Sequence, residues 1–369
     1  MTEPHSSSIA TLPGFLTWEA GNDLIRTACE TYIAFAYRRL REWSRSADAG
    51  VFEAVVRLPK SGQRRLLLAP RLHNLLYTRS EPSAEDVACL KQYIGLEQYL
   101  CDQNAQPPRA PWTALGDVYL PPGADAGAQP AGGWDAGRRY QAPVLRGIVL
   151  DAYSPPAVNR YPDYYGEVGQ HTAEEMAVIE RRLRESLEHI RSVSGTAGSA
   201  VGAAVQVISL IRVPAVTTGT HSFSNRSIIG LMGLINLHAG EWTTQRISNA
   251  IIHESVHSLI YKLQLNLANT LYTDEAAAER LTAVSPWSGR TLFLHSIVHA
   301  CFVWFGLWSF WRLSPVDNAE VAGLREKARR GFLSGPLAER LGREAYDCIH
   351  PETRLAIEEM FERVTGSLD

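Results

Sequence analysis

Asn249-Ala-Ile-Ile-His-Glu-Ser-Val-His-Ser-Leu-Ile-Tyr261 places His253 and His257 four residues apart, with Glu254 beside the first. On an α-helix, residues four apart stand one above the other on one face, so both imidazoles can address a single ion from a rigid support. Glu254 lies roughly 100° round the helix from His253, close enough to serve a metal-bound water or to orient a ligand. Ile247, Ala250, Ile251, Ile252, Val256, Leu259 and Ile260 make the segment apolar on nearly every side. That predicts a buried helix over about residues 243–265. Two imidazoles and a carboxylate taken out of water need partners, and a metal ion supplies them. The stretch predicts a metalloprotein.

Working outward, residues 205–213 and 228–237 predict strands, and 172–194 a helix with Met176, Ile179, Leu183, Leu187 and Ile190 on one face. Thr291 to Trp311 is apolar throughout and long enough to span a membrane, at roughly 20 residues. It carries His295 and His299, however, and imidazole pairs are costly at mid-membrane depth. A helix buried all round inside a soluble protein is the expectation. Residues 1–103 read as a helical N-terminal region, with Leu24 to Ala36 at helical spacing and a cap followed by acids at Ser83-Ala-Glu-Asp86. Residues 104–143 are rich in proline and glycine and read as a linker or loop. Residues 144–315 form the expected metal-binding catalytic domain, and 316–369 two short helices. The fold class expected is α+β, mostly helical, with a short sheet and a buried motif helix. The order of helix, strands, motif helix and a further helix resembles the layout of zincin-like metalloenzymes.

With 369 residues, 45% of them hydrophobic and 20% charged, the chain has the composition of a soluble globular protein. A formal net charge of -3 gives no support for a nucleic-acid or anionic-membrane partner. Cys29, Cys89, Cys101, Cys301 and Cys348 are scattered and odd in number, with no CxxC pair. That predicts neither a disulfide framework nor a thiolate zinc site, and suits the reducing cytoplasm. Met1 to Ser8 lacks a basic region followed by an apolar run, so no signal peptide is expected.

Two histidines leave a metal site incomplete, and the third ligand decides the chemistry. Glu275 and Glu279 stand 18 and 22 positions beyond His257, on a following helix as in gluzincin peptidases, which would make the protein a zinc peptidase. The surrounding Asp274-Glu-Ala-Ala-Ala-Glu-Arg280 equally suits a solvated helix. His295 and His299 are the alternative, again four apart, in an apolar setting where a lone imidazole is expensive. The metzincin pattern is excluded, because Ser258-Leu-Ile-Tyr-Lys-Leu263 holds neither glycine nor histidine.

The combination of Phe223-Ser-Asn-Arg-Ser-Ile-Ile-Gly230, the motif, Ser285-Pro-Trp-Ser-Gly-Arg290 and Val298-His-Ala-Cys-Phe-Val-Trp-Phe-Gly-Leu-Trp308 resembles the HExxH-type peptide-modification proteins of natural-product gene clusters. The likeness spans about residues 145–315. It implies iron(II)- and 2-oxoglutarate-dependent hydroxylation of a side-chain β-carbon in a ribosomally made precursor peptide. It carries the metal role to His253, His257 and His299, with His295 as the alternative third ligand. Three neutral imidazoles leave about three positions on an octahedral ferrous ion, two for 2-oxoglutarate and one for dioxygen. The distal carboxylate of 2-oxoglutarate calls for a guanidinium. Arg290 and Arg226 are the candidates, with Ser224 and Ser222 as hydroxyl donors. Glu254 would be the general base of a zinc hydrolase. In an iron enzyme it would orient a ligand or contact substrate. The strand ending at Leu237 would pair with an extended peptide.

Overall fold

The computed structural model describes residues 9–78, 81–102, 112–121, 138–154, 168–216, 219–266 and 270–367. Pro107, Pro108, Pro111, Pro122, Gly123, Gly127, Pro130, Gly132 and Gly133, which mark the linker in the sequence, lie outside them, as does Met1 to Ser8. The helices of fifteen residues or more are α1 (Asp23–Ser46), α2 (Ala84–Cys101), α3 (Ala173–Val193), α4 (Thr244–Gln264), α5 (Leu294–Leu313), α6 (Ala319–Leu333) and α7 (Pro351–Thr365). The strands are β1 (Val118–Tyr119), β2 (Tyr140–Gln141), β3 (Val144–Leu145), β4 (Ile148–Asp151), β5 (Val207–Ile211), β6 (His221–Ser224), β7 (Leu231–Ile235), β8 (Thr282–Val284) and β9 (Thr291–Phe293). The protein is mostly helical with a small mixed sheet, as an α+β chain should be.

Two units divide the chain. Unit 1 takes Met1–Thr31, Glu185–Ala203 and Thr244–Asp369, and unit 2 takes Tyr32–Arg184 and Ala204–Thr243. Within unit 1, α5 is buried on all sides and packs against α4, α6 and α7. Gly306 lets α5 come close: a Cβ there would stand 3.3 Å from Val256 on α4 and from the Trp18 ring, and its carbonyl accepts the Trp18 indole N–H at 2.7 Å. One described helix, α5, is long and apolar enough to cross a membrane, and most of it is enclosed by the rest of the chain. Residues 316–369, expected as two short helices, hold α6 and α7 with two further short helices, Leu337–Arg340 and Arg343–Cys348, between them. The Asn318 side chain caps α6, Pro351 starts α7 at its first turn, and each helix buries an apolar face.

Unit 2 holds the sheet, in the order β3-β4-β5-β7-β6. The pairs β4–β5 and β5–β7 are parallel, while β3 and β6 add antiparallel edges. Continuous burial of β4 and near-continuous burial of β5 and β7 match strands covered on both faces. Phe223 on β6 lies over Gly233 of β7, where a Cβ would fall 2.0 Å from its ring. Ser222 and Ser224 therefore stand on an edge strand, not on a turn. The expected cap opens α2, and it is a capping box in which Ser83 and Asp86 exchange side-chain and backbone bonds. Inside the proline- and glycine-rich stretch, residues 112–121 are buried, and Asp117 with Glu97 binds Arg65 at 2.8 and 2.9 Å.

Lys262 on α4 is fully buried, and its Nζ donates to the Ala203 carbonyl at 2.6 Å. Burial pulls its pKa from 10.5 down to about 8. The unfolded chain keeps this proton up to 10.5 while the fold sheds it at about 8, so stability rises with pH across that window. Lys262→Met removes the desolvation cost and gives up the bond to the Ala203 carbonyl, which keeps its weaker contact from the Cys29 thiol. The expected net gain is about 1–2 kcal/mol at pH 7.5, with the alkaline slope flattened. Urea unfolding at pH 7.5 and 10 checks both.

Candidate metal centre

The motif helix and the aromatic helix of unit 1 bring the expected histidines together. On α4, one ligand atom each of His253, Glu254 and His257 lie within 4.8 Å of one another. From α5, His299 Nδ1 comes to 3.2 Å from His257 Nδ1. Two nitrogens bound at about 2.1 Å to one ion stand about 3.0 Å apart in an octahedron and about 3.4 Å apart in a tetrahedron. The observed separation falls between them. His253 and His257 are half-buried, whereas Glu254 and His299 are 4% and 3% exposed. His253, Glu254 and His257 thus form a group that could hold a metal ion, and His299 stands against its second histidine.

The rings are held in place by aromatic neighbours. Tyr261, a further turn along α4, stacks on His257 with ring centres 6.1 Å apart and lies 4.9 Å from His299. Trp304 meets His253 edge-on at 5.8 Å. Trp287, from the Ser-Pro-Trp turn between β8 and β9, stacks on Trp304 and donates to the Ala328 carbonyl on α6. Lys327 places its Nζ over the Trp304 ring, 5.5 Å from the ring centre. The spacing 253, 257, 261 could have revealed Tyr261. Trp304 carries no such signal, because α5 is apolar all round.

Of the other candidates, His295 stays close enough to add to the electrostatic shift of His257. His295, half-buried, stacks on Phe293, and its Nε2 is 3.2 Å from Ser296 Oγ. Glu275 and Glu279 are exposed around a single helical turn capped by Asp274. Arg290 is exposed at the end of the Ser-Pro-Trp turn, in unit 1 with the histidines. Arg226 belongs to unit 2, where its Nε donates to the Tyr77 hydroxyl at 2.7 Å and its guanidinium covers that ring. Ser222 and Ser224 are also in unit 2.

Burial lowers the pKa of His253, and lowers that of His257 well below the ordinary imidazole value, with His253, His299 and His295 adding to the shift. Both rings are thus neutral near pH 7 and offer lone pairs without first losing a proton. In the unfolded chain they take up protons below about 6.5. The unfolded state then binds more protons than the fold, so the metal-free protein loses stability as pH falls below that value. Urea midpoints between pH 7 and 5 should fall, and His253→Gln/His257→Gln should make that fall shallower. Compared with protein-family models and with curated proteins, the sequence has no significant match.

Proposed function

We propose that His253, His257 and His299 hold iron(II) in a 2-oxoglutarate-dependent hydroxylase that acts on the side-chain β-carbon of a ribosomally made precursor peptide. The observation that carries the metal reading is the 3.2 Å approach of His299 to the motif histidine His257. A facing set of imidazoles suits iron and leaves coordination positions for cosubstrate and oxygen. The substrate class rests on the resemblance of the Ser-Pro-Trp turn and the His299 helix to peptide-modification proteins. On this reading the motif region is zincin-like, with α4 and α5 as its ligand helices.

When bound, iron would couple decarboxylation of 2-oxoglutarate to oxygen insertion into a carbon–hydrogen bond. The chain's own contribution is to fix three rings, through Tyr261 and Trp304, while burial keeps His253 and His257 neutral. Glu254, buried next to the histidines, orients a ligand or receives a proton. Arg290 supplies the cation for the distal carboxylate of the cosubstrate.

Anaerobic equilibrium dialysis tests the reading. One equivalent of 2-oxoglutarate should bind only when iron(II) is present, and more weakly in Arg290→Ala. An iron-loaded protein that binds none would overturn it. A second reading, a zinc hydrolase, is favoured by Glu254 lying within 4.8 Å of ligand atoms of both motif histidines, where it can activate a metal-bound water. It predicts peptide cleavage by the zinc-loaded protein, lost in Glu254→Gln.

A further inference from the structure

Unit 2 contains a second group of metal-type side chains that the motif does not include. His171 precedes α3, Glu175 lies in its first turn, and His238 follows β7; one ligand atom of each lies within 4.8 Å of the other two. The backbone around them is tightly specified. Thr172 and Glu175 exchange bonds at the start of α3, with the Thr172 N–H on Glu175 Oε2 at 2.9 Å. Asn236, at φ 51°, binds the Val213 backbone through its side chain, and Arg182 donates to the carbonyls of Leu237 and Ala239 on either side of His238. Arg212, just past β5, donates its Nε to Glu175 at 3.2 Å.

Three facts point to a bound cation. His171 Nδ1 and His238 Nε2 each stand 3.5 Å from a different Glu175 oxygen, close to the separation of about 3.4 Å for donors around a tetrahedral zinc. The His171 side chain is 1% exposed, and its Nδ1, the nitrogen that faces Glu175, has no hydrogen-bond partner. A buried nitrogen left in this state costs about 1–3 kcal/mol unless something binds it. Finally, the group sits beyond the carboxyl ends of parallel β5 and β7, the edge where ligands bind such sheets. Arg212 does not forbid an ion. A carboxylate offers about four lone-pair sites, and Arg212 and the Thr172 N–H use only part of them.

We propose that His171, Glu175 and His238 form a second divalent-metal site of the zinc type, its fourth position open to water or an anion. Two histidines, one glutamate and an open position are the donor set of hydrolytic zinc centres. The neighbouring guanidinium makes an anionic fourth ligand favourable.

The test uses cobalt(II), whose visible absorption reports tetrahedral coordination, on full-length protein stripped by chelator. Wild-type protein should bind two equivalents. His253→Ala/His257→Ala, which leaves this cluster intact, should keep one equivalent with a tetrahedral spectrum. His171→Ala/His238→Ala should also bind one, at the other centre. If His253→Ala/His257→Ala, folded by circular dichroism, binds no cobalt, the group is an ion-pair network and the proposal fails. Should that variant not fold, a wild-type titration that saturates at one equivalent, and is unchanged by Glu175→Gln, overturns it equally. Were the motif centre to bind no metal, wild-type protein would bind one equivalent that Glu175→Gln weakens, which tells failure of that reading from failure of this one.

Discussion

His299→Ala should weaken metal binding by more than about 100-fold, the upper end of what even an outer-shell defect costs a metal site. Its Nδ1 is 3.2 Å from that of His257, on a helix that is buried on all sides and held against the motif helix. His257→Ala should lose at least as much, since it removes the ring that touches both of its partners. Glu275→Gln and Glu279→Gln should leave affinity unchanged, because both carboxylates are exposed around a single helical turn. Competition with a chromogenic chelator measures all four. Retained affinity in His299→Ala with loss in either glutamine variant would move the third ligand to α4's following turn, as in a zinc peptidase.

Gly331→Ala should destabilise the protein by about 3 kcal/mol, the upper range for forcing extra volume into a packed core. A Cβ at this α6 position would fall 2.1 Å from Trp287 Cε2, well inside contact distance. The backbone of α6 and the indole cannot both stay in place. Trp287 is 7% exposed, donates to Ala328 on the same helix and stacks on Trp304, which meets His253 edge-on. The methyl should therefore also disturb the motif histidine and lower metal affinity. Trp287→Leu in the Gly331→Ala background should recover part of the stability, since neighbours in contact do not add independently. Urea unfolding of the two singles and the double checks this. Equal additive losses would show that the glycine and the indole do not oppose each other.

The motif helix was legible because its signal is local. Four-residue spacing and an apolar surround set both the face and the burial of α4, observed as Thr244–Gln264. The aromatic run likewise gave α5, and the cap at Ser83 gave the start of α2. Less was legible where long-range pairing decides. The strand of His221 to Ser224 has two serines and a histidine, and only its pairing with β7 makes it β6. Phe223 finds its place because Gly233, on another strand, has no side chain. The same holds for site chemistry. His171 and Glu175 are four apart and visible as a pair, but His238 joins them only through the turn after β7. Trp304 is one aromatic among many on α5, and nothing in the sequence marks it as the ring against His253.

The chemistry itself is tested most directly by isotope. Iron(II)-loaded protein, prepared without oxygen, is given 2-oxoglutarate and then ¹⁸O₂, and the succinate is read by mass spectrometry. A 2-oxoglutarate-dependent hydroxylase predicts succinate carrying one ¹⁸O atom, carbon dioxide in equal amount, and neither product from His257→Ala. No labelled succinate from the iron-loaded protein, with peptide cleavage by the zinc-loaded form, would contradict it.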